Sequence, residues 1–418
     1  MEKSGKFRLT SLERNWILYD VGNSAFVLMV ATLIPIFFNA LAEAGGLSSV
    51  EYLAYWGYAS SAVTVITAVL SPILGTVADT KGFKKPIFIL CVFVGIVGCC
   101  AMGAASAWLP FLVIFVIAKV GFSGSLVFYD SMLSDVTTPE RMDEVSSRGY
   151  AWGYIGSCVP FVVCLGLVLG AGSVGISQMT ALNLALLLTA AWWLLTTLPL
   201  LKSYKQLYYV EVEKHAVRQS FARIGHTLRH LPEDKQVFWF LLAFFCYIDG
   251  VYTIIDMATA YGTALGLDTT GLLLALLVTQ IVAFPSALIF GRLSNRYPSA
   301  KLIPVCIAAY AGIAVFAFFL TQQWQFWVLA VIVGMFQGGV QALSRSHFAK
   351  IIPPEKSGEY FGLFDICGKG ASFLGTMIVS VGSQLTGSAN VGVGSLIVLF
   401  IVGFVLFRVS CKKEVVPE

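Results

Sequence analysis

A chain of 418 residues that is 57% hydrophobic and only 12% charged, with a mean hydropathy of +0.81, lies far from the soluble norm of about 25% charged residues. That balance excludes a water-soluble domain. The net charge of +4 does not point to a nucleic-acid partner, because the basic residues follow the loops of a membrane topology.

Apolar runs of spanning length, roughly 20 residues each, recur along the whole chain. Six lie near 15–42, 53–78, 86–107, 109–134, 148–171 and 178–201, and six more near 236–264, 270–293, 301–321, 324–350, 359–386 and 391–410. The first run has no small-residue cleavage site after it, so it reads as a retained helix and not as a leader. Of the 27 Lys and Arg residues, Lys119 and Lys369 alone sit deep within apolar spans; the others fall on one alternate set of loops and helix ends. The intervening loops carry none. Under the positive-inside rule this threads an even number of helices with both termini in the cytoplasm, here expected to be that of a bacterial plasma membrane. The expected fold is therefore all-α and polytopic, with twelve transmembrane helices in two six-helix pseudo-symmetric bundles, residues 1–201 and 236–418. Between them, residues 202–235 form the longest hydrophilic stretch. Val217, Phe221, Ile224, Leu228 and Leu231 recur there at helical spacing beside Lys214, Arg218, Arg223 and Arg229, a pattern that predicts a basic amphipathic helix attracted to anionic lipid of the inner leaflet.

The two halves repeat their motifs in the same order. "GTVADTKGFKK" follows the second span and "GRLSNRYPSAK" the eighth, each with Gly (75, 291) four residues before Asp79 or Asn295. "SDVTTPERMDEVSSRGYAWGY" after the fourth span parallels "AKIIPPEKSGEYFGLFDI" after the tenth, and "LYDVGNSAF" around Asp20 parallels "YIDGVYTII" around Asp249. The loop after the second span resembles the signature of the major facilitator superfamily, through Gly75, Asp79, Gly82, Lys84 and Lys85. Within it, "FYDSMLSD", "VSSRGYAWGYIGS" and "GGVQALSRSHFAKIIP" resemble the unknown-major-facilitator family, which groups with fungal vacuolar amino-acid effluxers linked to autophagy. The resemblance implies the major facilitator fold and alternating access, and it names no substrate. In the second copy Asn295 replaces the acid and the glycine is missing, so a gate on that side does not follow from the resemblance.

Ionisable groups inside hydrocarbon are functional candidates by default. At 1.5 Å of rise per residue, Lys119 lies roughly 16 Å from the outer end of its span, Lys369 roughly 15 Å from the inner end of its own, and Asp249 roughly 20 Å in. All three are near the midplane, where superfamily substrate sites lie. Either they handle substrate and protons or they form a structural pair that locks helices. Asp20 and Asn23, Tyr129 and Asp130, Gln337 and Gln341, and Asp365 one turn before Lys369 complete the candidate pathway, each with helix–helix glue as the alternative. Gly75, Asp79, Gly82, Lys84, Lys85, Arg148 and Arg345 are assigned to a cytoplasmic gate, with Lys84 and Lys85 expected to anchor to lipid phosphate.

Enzymatic readings fail. "GLFDICGKGAS" has five residues where a phosphate-binding loop needs four before Gly-Lys, and eight of the nine cysteines lie in apolar spans without metal-ligand spacing. No metal, cofactor or catalytic residue is implied. The leading expectation is a monomeric secondary transporter of a small zwitterion or carboxylate, with protons or Na+ as candidate coupling ions. The alternative is a proton-driven exporter of hydrophobic or cationic compounds, suggested by Phe26, Phe128, Tyr129, Tyr247 and Tyr252. Orientation has a direct test: reporter tags at positions 173, 266 and 388 should read as external and tags at 84, 210 and 415 as cytoplasmic, and an external reading for 210 overturns the threading.

Overall fold

The computed structural model describes residues 7–211, 225–227 and 229–411, except the side chains at 49, 50, 53, 259, 260, 264, 269, 270, 273 and 369–373. Most of the amphipathic helix expected within 202–235 thus lies outside the described residues. The first half runs α1 (Ser11–Ala31), α2 (Leu33–Ala44), α3 (Ser49–Ala78), α4 (Lys84–Met102), α5 (Trp108–Ser131), the short α6 (Leu133–Val136), α7 (Met142–Leu169), the short α8 (Ala171–Val174) and α9 (Gln178–Ser203). The second runs α10 (Lys235–Ala264), α11 (Thr269–Leu293), α12 (Ser299–Phe318), α13 (Gln323–Ile351), α14 (Ser357–Thr386), α15 (Ala389–Gly394) and α16 (Ile397–Cys411). Among the described residues, eleven segments are long and apolar enough to cross a membrane. The twelfth expected span corresponds to the 30-residue α14.

Local chemistry sets the helix boundaries. Thr10 and Glu13 form a capping box at the start of α1, as do Ser48 and Glu51 at the start of α3, satisfying backbone donors that a helix start leaves open. The first span breaks at Thr32, whose backbone leaves the helical region. Pro35 explains the break, because its ring crowds the carbonyl four residues back, that of Ala31.

Packing obeys the internal repeat. In the first half α1 packs on α7 and α9, and α5 on α3 and α4; in the second α10 packs on α14 and α16, and α13 on α11 and α12. The halves meet through the equivalent pairs α3 with α14 and α7 with α11. Within the first half, Asn15 Nδ2 donates to Ser203 Oγ (3.0 Å) and to the Pro199 carbonyl (3.3 Å), tying α1 to the end of α9. Apolar side chains such as Val65, Leu90, Phe93 and Leu195 face outward, as a lipid-facing surface requires.

Loops 79–83, 137–141, 204–211, 294–298 and 352–356 share one end of the molecule, called the basic face below. There α3 and α14 approach backbone to backbone. A Cβ on Gly75 would overlap the Gly358 carbonyl, and one on Gly362 would lie 2.6 Å from Pro72 Cα. Among the described residues the main packing at the opposite face stays within each half: α2 packs on α1, α3, α5 and α9, and α10 on helices of its own half. The protein is thus described with its basic face closed. Gly75→Ala or Gly362→Ala should wedge that face apart, raising by several-fold the thiol labelling of a buried Ser357→Cys reporter in a background without native cysteines. Unchanged labelling would show that the close approach is not what shuts the face.

Candidate functional site

Two seams close the basic face. In the first, Asp79 ends α3, and Gly82, at φ +80°, turns the loop in a conformation that side chains resist. The Asp79 carboxylate accepts from Gly358 N (2.7 Å) and Glu359 N (2.8 Å), donors that the first turn of α14 leaves unsatisfied and partly positive. Burial pushes the Asp79 carboxyl up to about 7, although Lys84 and the amides of Glu359 and Gly358 pull the other way. Lys84 is fully buried. Its ammonium donates to Ser357 Oγ (2.8 Å) and stands 3.4 Å from Asp135 and 3.9 Å from Asp79. Lys85 reaches the Tyr204 carbonyl at 3.5 Å. The expected lipid anchoring by Lys84 is therefore wrong: two buried carboxylates hold its charge inward, where a headgroup cannot reach.

In the second seam Asn295 Nδ2 donates to Glu144 Oε2 (2.7 Å), and Arg148 grips the other oxygen of Glu144 at 2.6 Å. A Cβ on Gly291 would lie 2.8 Å from that of Ser147. Asn295 thus does make an inter-half contact, at the position equivalent to Asp79. Nearby, Lys350 and Ser346 of α13 both bind Asp143 at 2.6 Å.

Between the seams lies the cluster that gathers most of the expected pathway residues. Arg345 of α13, buried, donates to Asp130 Oδ1 at 2.9 Å, to Ser146 Oγ at 2.9 Å and to the Ser146 carbonyl at 3.0 Å; Asp20 Oδ2 is 3.8 Å away. Its guanidinium lies over the rings of Tyr150 (4.4 Å), Trp16 (4.7 Å) and Tyr129 (5.4 Å), and Tyr129 stacks on Trp16. Asn23 donates to Asp20 Oδ1 at 3.3 Å. Asp365 accepts from Ser71 Oγ at 2.7 Å across the interface and lies within electrostatic reach of Asp130. Tyr252 is within reach of Asp130, Asp256, Asp365 and Arg345. Tyr154 OH donates to Gln341 at 3.1 Å, while Gln337 borders a cavity inside the second half, of accessible volume about 60 Å³, with Gln280 and Val333. Counting helix rise from Ser11 and Ile351, Asp20 lies roughly 14 Å and Arg345 roughly 9 Å above the basic-face ends. Two carboxylates, Asp130 and Asp20, thus flank one buried arginine where the halves meet, with Asp365 within electrostatic reach of Asp130.

Other candidates sit elsewhere. Lys119 lies over Phe122 (4.8 Å) and Phe26 (6.0 Å), on the opposite-face side of Asp20. Asp249, fully buried, accepts from Gly375 N at 2.8 Å and Thr253 Oγ1 at 3.3 Å, so it joins α10 to α14 within one half and not across the interface. The side chain of Lys369 lies outside those described. Arg345, assigned to the gate, pairs across the halves with Asp130 and Asp20. Sequence reasoning passed over Trp16, Asp135, Ser146 and Tyr150. Asp135 carried a signal, as an acid beside a span end with Lys84 one loop away, but the linker that buries it could not be foreseen. Among the described residues no His, Cys, Asp or Glu cluster could hold a metal ion.

Comparison with known proteins agrees with this architecture. A family model described as vacuole effluxer Atg22 like matches residues 11–142 and 134–414. The chain is 42% identical over 404 residues, covering 96% of it and 94% of its partner, to YxiO, an uncharacterized transporter of the major facilitator type from Bacillus subtilis. It is 25% identical over 314 residues to autophagy-related protein 22 of Coccidioides immitis, covering 64% of this chain and 51% of that one; the chain thus spans about half the length of that fungal relative. Among solved structures it is similar to the human organic anion transporter MFSD10 (TM-score 0.72, 15% identity, 94% and 99% of the two chains) and to FucP in the outward conformation (0.72, 15%, 96% and 98%). The chain belongs to the Atg22-like effluxer family, and it is a secondary transporter of the major facilitator fold.

Proposed function

We propose that the chain carries a small zwitterion or carboxylate, an amino acid in the first instance, by rocking residues 1–201 against 236–418 about a site between them, with 202–235 as the tether. The observation that supports this most is the buried Arg345 between Asp130 and Asp20. It offers a cation to a carboxylate, surplus carboxylates to an amine, and tyrosine and tryptophan rings as walls. Lys119, over the ring of Phe122, is a second cation for the entering carboxylate. Asp20 and Asp130, two acids sharing one guanidinium, are the proton carriers if protons drive the cycle. The family's description as an effluxer, together with the resemblance to fungal amino-acid effluxers, agrees with this substrate class. The same reading places the protein as a monomer in a bacterial plasma membrane, with the basic face cytoplasmic and facing anionic lipid. Asp79 with α14, and Glu144 with Asn295, are the gate on that face.

The cationic-exporter alternative keeps one observation, the excess of carboxylates near Tyr252. It loses others: Phe26, Phe128 and Tyr247 are at most 1% exposed and packed within helix cores. Thermal stabilisation of the purified protein separates the two readings, because a ligand that binds only the folded state raises the melting temperature. Amino acids should stabilise it and lipophilic cations should not; the reverse result would install the alternative. Lys119→Ala should weaken amino-acid binding roughly tenfold, in line with a lost charge-assisted contact of about 1.5 kcal/mol, and Asp249→Asn should lower the melting temperature with affinity retained. Wild-type affinity in Lys119→Ala would remove that residue from the site.

The gate should also respond to pH. The Asp79 carboxyl stands at about 7 in the closed face and returns toward about 3.9, the ordinary aspartate value, once water reaches it. Closing therefore takes up a proton, so acidification from pH 8 toward 5 favours the closed face and alkali the open one. Distance measurements across the basic face should show this shift, and Asp79→Asn should abolish it. A shift that survives in Asp79→Asn would assign the proton to another group.

A further inference from the structure

The tether between the halves does not hang free from its first residue. From Tyr204 to Glu211 it is laid along the first half. Val210 forms a single parallel bridge with Thr80, donating to the Asp79 carbonyl at 2.8 Å. Gln206 Nε2 donates to the Ala78 carbonyl (3.1 Å), and Gln206 Oε1 accepts from Gly82 N (3.0 Å). The tightest point is Asp135, 3% exposed. It accepts from Tyr204 OH at 2.6 Å and from Leu207 N and Tyr208 N at 2.9 Å each, beside the 3.4 Å contact to Lys84.

All of these strap contacts are to the first half, whereas the other partners of the gate are not. When the basic face opens, Asp79 loses Gly358 N and Glu359 N, and Lys84 loses Ser357. Lys84, 3.9 Å from Asp79 in the closed face, is then positioned to pair with it, but only if Asp135 releases it. A buried charge stripped of its partner is costly, so Asp135 must be satisfied from elsewhere. The strap supplies that satisfaction with three donors that travel with it.

We infer that residues Tyr204–Glu211 are a working part of the gate: by saturating Asp135 they free Lys84 to pass to Asp79 as the halves separate, and so make opening possible. Asp135 and Tyr204 are positioning residues that act through Lys84 and touch no substrate. The strap thereby favours opening, opposite to what a simple clamp would do.

The test uses the full chain in bilayers without substrate, so that its outcome is independent of the solute proposed above. Spin labels at the exposed positions Glu140→Cys and Glu355→Cys report the distance across the basic face, with native cysteines replaced. Tyr204→Phe keeps the ring and removes one hydrogen bond to a charged group, and should shift the population toward the closed face on the order of tenfold. Adding Asp135→Asn removes the carboxylate that competes for Lys84, and should return the distribution to that of the parent. Gln206→Ala loosens the strap from its other side without touching Asp135; it should shift the population the same way, and it carries the test if Tyr204→Phe folds poorly. An unchanged distribution, a shift toward the open face, or a shift that Asp135→Asn leaves in place overturns the inference.

Discussion

A charge buried between two bodies that must separate has to be satisfied in both arrangements, and this constraint organises the basic side of the protein. Arg345, Lys84, Asp79 and Asp135 are all sealed from solvent by helices from both halves or by the linker. Each sits where the close approach of α3 to α14, or of α7 to α13, keeps water out. Surface ion pairs are worth about 0–1 kcal/mol, whereas breaking a buried one costs about 3–5 kcal/mol. The cycle is therefore governed less by how strongly the halves attract than by which partners remain when they part. The glycines at the seam matter for the same reason, since a wider gap would admit water and weaken every contact beside it.

The two seams are equivalent by position and unlike in chemistry. On one, a carboxylate takes two backbone donors from the first turn of α14 and stays dry. On the other, a neutral amide meets a glutamate already gripped by the partly exposed Arg148. The internal repeat thus preserves which helices touch, while one copy has exchanged the acid at the repeat position for an amide. On the Asp79 side the acid is itself the residue at the repeat position, whereas on the other side that position holds an amide and the acid, Glu144, comes from the opposing half.

Much of this was legible in the sequence. Alternating basic loops, the doubled loop motif and the even count of apolar runs were enough for the all-α architecture, because each depends only on order along the chain. The pathway residues Asp20, Asn23, Tyr129, Asp130 and Asp365 emerged from the cost of placing polar groups in hydrocarbon. Asp249 shows where such reasoning stops: depth along a helix follows from counting residues, but the direction a side chain faces does not, and Asp249 turns into its own half. Arg345 was assigned to the gate without its partners, because pairing across the halves with Asp130 and Asp20 cannot be read from positions along one helix. The burial of Lys84 depended on Asp135 from another loop and on Ser357 from the other half, which no local pattern announces.

The bond between α1 and the end of α9, through Asn15, Ser203 and Pro199, closes the first half into a ring without help from the second. During synthesis the amino-terminal half leaves the ribosome first. Once Ser203 has entered the bilayer, that half holds all the partners its own helices need. The carboxy-terminal half then meets a finished surface instead of a set of loose helices, and the buried polar contacts between the halves are the last part of the molecule to assemble.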